Sequence, residues 1–135
     1  MNRSFFVSLV LLAACDTGPT GAAADRIAAR EFAYCAAFYA VEERVVRRES
    51  ANPVIDKGIS LFLSAAVLLS DSDFVAAETK SAMASVLDEI QNPTQPHDRF
   101  FSKTVERCQV LAEKHEASVQ KRLGELQEKH PGTAQ

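Results

Sequence analysis

The chain has 135 residues, 47% of them apolar, with 15 basic and 18 acidic side chains and a net charge of −3. That length and apolar content fit one domain around one core and exclude a disordered or multi-domain chain, while the even mixture of charge lacks the basic footprint of a nucleic-acid binder. The five prolines fall where helices would stop and there is no Trp, a pattern that predicts an all-α protein.

The chain begins with a short positive segment, Met1-Asn2-Arg3, followed by an apolar run of about ten residues from Phe5 to Ala14. This run is too short to span a bilayer, which takes about 20 apolar residues, and has the build of a signal peptide. Its end, Leu12-Ala13-Ala14-Cys15, resembles the lipobox of bacterial lipoproteins. The resemblance covers only about the first sixteen residues, and no family is recognised for the remainder. It implies cleavage before Cys15, acylation of that cysteine with palmitate-type chains, and stable anchoring, since two or three acyl chains hold where one gives marginal binding. Asp16 resembles the residue that keeps such proteins in the inner membrane, facing the periplasm. An ordinary signal peptidase site after Ala24, in "GAAAD", is the alternative, and it would discard Cys15. The expected organisation is a signal peptide over 1–14, a lipidated cysteine and flexible tether over 15–24, a helical bundle over 25–130 and a disordered tail over 131–135.

Under either cleavage the mature chain keeps Cys35 and Cys108 in an oxidising compartment, which predicts a disulfide. In the chain-entropy account, closing a loop of that length is worth about 4 kcal/mol. Neither cysteine lies in a C-x-x-C redox motif, and two thiolates are too few for a metal site.

Four helices are predicted. The first runs from about Asp25 to Glu49, with Phe32, Cys35, Tyr39, Glu42 and Val46 on one stripe and Ile27, Tyr34, Phe38, Val41 and Val45 on its neighbour, so packing on more than one side is expected. Asn52-Pro53 starts the second, with Asn as N-cap, and its apolar stretch from Ile59 to Leu69 reads as the central helix of the bundle. The third, about Asp73 to Gln91, with Ser70 or Ser72 as cap, has a thin stripe of Val75, Thr79, Met83, Val86 and Ile90, and is expected to be the most weakly held. Two prolines in "NPTQPHD" separate it from a fourth helix, about His97 to Lys129, which ends before Pro131-Gly132. On that helix Phe101, Val105, Cys108, Ala112, His115, Val119, Leu123 and Leu126 share a side, so both mature cysteines point inward.

Short connections predict an antiparallel up-down-up-down four-helix bundle tied by a helix 1 to helix 4 disulfide. With Cys35 opposite Cys108, the start of helix 1 falls opposite about residue 118, and Val119 to Lys129 would overhang by roughly 16 Å. Lys121, Arg122, Leu123, Leu126 and Lys129 on this overhang form a possible interaction surface for lipid headgroups or a partner helix.

The sequence lacks Glu-x-x-His, C-x-x-C-H, H-E-x-x-H and G-x-S-x-G, so no catalytic residues, metal or cofactor are expected, and the protein reads as a non-enzyme. Two functions fit. One is a non-catalytic accessory module held to the membrane by its lipid, whose partner is another envelope protein and not nucleic acid. The other is a periplasmic binding protein for a small apolar or metal ligand between helices 1, 3 and 4, near Tyr34, Tyr39, His115 and the small residues of helix 3. The intact mass of the native membrane-extracted protein should correspond to a chain beginning at Cys15 plus acyl mass, with two thiols alkylated only after reduction. An unacylated species beginning at Asp25 would contradict the anchor.

Overall fold

The computed structural model describes residues 21–48 and 52–132. Cys15, the lipobox, Asp16 and the last three residues of the expected tail lie outside the described residues. The described chain is helical, in the order α1 (Ala22–Val41), a π-helical turn (Glu42–Val46), α2 (Pro53–Leu69), α3 (Ser72–Gln91) and α4 (His97–Lys129). α1 therefore takes up residues 22–24, which the sequence assigns to the tether, and its N-cap is Gly21, at φ 64°.

Local chemistry sets the other ends. Asn52 caps α2, its side-chain oxygen accepting from the Val54 N–H at 3.1 Å with Pro53 at the first helical position. α3 is capped by Asp71, which accepts from the Phe74 N–H at 2.8 Å, and not by either neighbouring serine. The Ser70 hydroxyl is taken up by the Ala66 carbonyl at 2.8 Å, which closes the last turn of α2 instead.

The organising element is α1. It buries Ala28, Ala29, Phe32, Ala33, Cys35, Ala36, Ala37, Phe38 and Val41, more than any other helix, and packs extensively on α2 and α3 and more lightly on α4. Five of those nine side chains are alanine, so neighbours approach its axis closely from several sides. α2, expected at the centre, lies to one side. For all its apolar content only Ala65, Ala66 and Leu69 are buried, while Val54 and Leu61 are 80% and 62% exposed. Apolar surface sends a helix inward, but the small side chains decide which helix three others can surround.

Contacts fix how the helices lie on α1. Toward α3, Arg26 sits over the Phe74 ring at 4.4 Å, Arg30 pairs with Glu78 at 3.1 Å, and Phe38 shares a cluster with Val86, the same order along both helices. Toward α4 the outer contacts run in the opposite sense, Asp25 meeting Arg122 at 2.7 Å and the Phe38 ring lying edge-on to Phe100 at 5.7 Å, while between them Glu31 pairs with Arg107 and Cys35 is bonded to Cys108. The disulfide joins Cα atoms 5.8 Å apart. Toward α2, Phe62 stacks on Tyr39 at 5.8 Å and contacts Phe32.

Two sequence expectations change. α3 buries Val75, Ala82 and Val86 along its length, whereas α4 buries nothing after Leu111, so the least-packed segment is the end of α4 and not helix 3. The overhang also shortens, because Arg122 reaches Asp25, and beyond it Leu126 and Lys129 face Val67 and Leu68 at the end of α2. Substituting Ala33→Leu, at a site with no exposure, should cost about 1–3 kcal/mol by overpacking. Val54→Ala should stay within about 0.5 kcal/mol in urea titrations.

Candidate functional site

The apolar stripe of α1 carries one charged residue, Glu42, and there the α-helix gives way to a wider turn. Arg47 N–H donates to the Glu42 carbonyl at 3.0 Å, an i to i+5 bond, so each residue of the turn advances less around the axis than in an α-helix. The 3.6-residue period extended through 42–46 therefore mis-assigns the faces. Val45 and Val46, expected inside, are exposed, and two consecutive carboxylates, Glu42 and Glu43, are 4% and 2% exposed.

The two glutamates reach the starts of different helices. Glu43 Oε1 accepts from the backbone N–H of Asn52, the α2 N-cap, at 2.5 Å. Glu42 Oε1 lies 3.4 Å from Nε2 of His97, the first residue of α4. Both carboxylates thus face the positive ends of helix dipoles, where negative charge is favoured. Oε2 of Glu43 is buried without a hydrogen-bond partner, and Oε1 of Glu42 has only the long contact to His97. Burial raises the Glu42 pKa above its ordinary 4.5, against the opposing pull of His97 and Arg47. π-turns concentrate at functional sites. Here the turn braces the far end of the fold, and no group of three or more metal-ligating side chains forms among the described residues.

Tyr34, Tyr39 and His115, named for a ligand site between helices 1, 3 and 4, line neither of the two grooves beside α2. His115 is half-buried, edge-on to Phe32 at 6.0 Å. Tyr39 stacks on Phe62, and burial raises its phenol pKa. Tyr34 lies under the Arg107 guanidinium at 4.7 Å; burial raises its pKa, with Arg107 and a hydrogen bond to Thr104 opposing. Of the possible interaction surface, Lys121 and Lys129 are exposed, Arg122 is paired with Asp25, Leu123 is half-buried, and Leu126 is exposed beside α2.

Open surface instead flanks α2. A groove of about 670 Å³ runs between α2 and α3, with Leu63 and Val67 on one wall and Val75, Met83 and Leu87 on the other. A second, about 450 Å³, runs between α2 and α4 over Phe32, Phe62 and Ala65. Both follow from α1 holding the centre, since α2, α3 and α4 touch α1 more than one another. Periodicity alone gave no sign of either groove, although the excess of apolar side chains on α2 over what one face can bury was visible in "ISLFLSAAVLL".

No family model matches the chain, and comparisons with curated proteins and with solved structures gave no match. No described helix is long and apolar enough to cross a membrane.

The raised pKa of Glu42 has a definite sign. The folded chain holds that proton to higher pH than the unfolded chain does, so this contribution to stability is full below about pH 4.5 and is lost as pH rises through the folded value. Glu42→Gln should therefore gain stability relative to the parent as pH rises from about 4 to 7 in paired urea titrations. A difference independent of pH would show that Glu42 does not titrate abnormally.

Proposed function

We propose that the chain is a lipoprotein of the bacterial cell envelope, cleaved before Cys15 and anchored by its acyl chains to the inner membrane facing the periplasm. Its helical domain serves as a non-catalytic interaction module, and α2 is its working surface. The lipobox supports the anchor, and a disulfide between the two mature cysteines accords with an oxidising compartment. The fold that carries this role is an up-down-up-down bundle, a reading supported by the opposed order of contacts between α1 and α4 and the common order between α1 and α3.

The observation that carries the interaction reading is the exposure of α2. α2 exposes Val54, Leu61 and Val67 among Lys57, Ser60 and Ser64, and a groove with apolar walls borders it on each side, which favours a surface that a partner covers. The small-ligand reading keeps one support, because the α2–α3 groove falls within the size range of small-molecule sites.

A photo-reactive residue at Leu61 should give an adduct of defined mass with an envelope protein in intact cells, and one at Gln109, exposed on α4, should not. No adduct at Leu61, together with a thermal shift on adding an apolar ligand, would reverse the order of the two readings.

A further inference from the structure

The two grooves beside α2 differ in charge. The α2–α3 groove has a single charged lining residue, Lys80. The α2–α4 groove has two, Glu113 and Glu116, both exposed on the α4 wall, with no lysine or arginine lining it and no cation paired to either among the described residues. Its floor is apolar, formed by Phe32, Phe62 and Ala65.

Gly58 lines the same groove. It lies inside α2, where glycine weakens a helix, yet a Cβ added there would meet nothing within 4 Å. The fold itself therefore makes no use of the missing side chain. What a glycine at that place provides is room for another backbone to come close, and Ala65, seven residues on and on the same side of α2, extends the track.

We infer that the α2–α4 groove seats a cationic amphipathic helix of a partner protein. That helix would lay apolar side chains at i, i+3 or i+4 and i+7 over Phe32, Phe62 and Ala65, its backbone close to Gly58, and set lysine or arginine against Glu113 and Glu116. The inference rests on the interaction-module reading and names the chemistry of its partner.

The test uses the full mature chain in detergent and two dye-labelled model helices with the same leucine face, one flanked by lysine and one by glutamate, followed by fluorescence anisotropy. The lysine helix should bind at least about tenfold more tightly than the glutamate helix, and Glu113→Lys with Glu116→Lys should reverse that preference. Gly58→Leu should weaken the lysine helix by about tenfold or more. Gly58→Ala keeps the fold testable: it should raise the Tm, because its Cβ meets no clash, and still weaken binding. Equal binding of both helices, binding of neither, or binding lost in Met83→Glu but indifferent to Glu113 and Glu116 would each overturn the inference. Failure here with the Leu61 adduct retained removes only the assignment of partner chemistry, whereas loss of the adduct removes the module reading itself.

Discussion

The structure depends on how closely three helices can approach one. Ala28, Ala29, Ala33, Ala36 and Ala37 give α1 a narrow girth on several faces, and each is essentially without exposure. Large side chains are spaced between them, Phe32 meeting Phe62 of α2 and Phe38 meeting Phe100 at the α4 start. This arrangement stabilises by burial and dispersion, which favour close approach of backbones. Its corollary is poor contact among the outer helices. α4, with the lightest packing on α1, is the helix held by a covalent bond, at Cys108. Surface ion pairs such as Asp25–Arg122 add little energy there, though they mark the same alignment.

The opposite end of α1 is secured differently. The π-turn directs Glu42 and Glu43 inward, and the pair connects α1 to the first residues of α4 and α2 respectively. A buried carboxylate with an unpaired oxygen is costly, and apolar residues of similar size would often be at least as stable. The return is positional: the two carboxylates define where α2 and α4 begin relative to α1. The carboxylate braces therefore sit at one end of α1, away from the grooves along the flanks of α2.

Much of this fold is legible in the residues. Asn52-Pro53, the two prolines of "NPTQPHD" and Pro131-Gly132 locate helix boundaries because capping and the missing proline N–H act locally. Cys35 and Cys108 lie on the inward stripes of their helices, so periodicity alone turns both toward the core where they pair. The identity of the central helix does not, because a hydrophobic stripe reports which face turns inward and says nothing of how many neighbours the helix can hold. "ISLFLSAAVLL" looked like the centre on apolar content, yet "AAREFAYCAAF" holds it through small side chains. The π-turn escaped because one altered hydrogen-bond step shifts every later face, and the exposed Val45 and Val46 record that shift. The grooves beside α2 escaped because they are spaces between elements, set by packing geometry rather than by any one segment.

The central claim, that α1 is the element about which the other helices are arranged and that α2 is a peripheral helix with exposed apolar side chains, is tested most directly by native-state hydrogen exchange on the oxidised protein. Amides from 28 to 41 should exchange only through global unfolding, those of α2 through a lower-energy partial opening, and those of α4 beyond Leu111 fastest among the helices. Protection of α2 equal to or greater than that of α1 would place α2 at the centre of the fold and contradict the account.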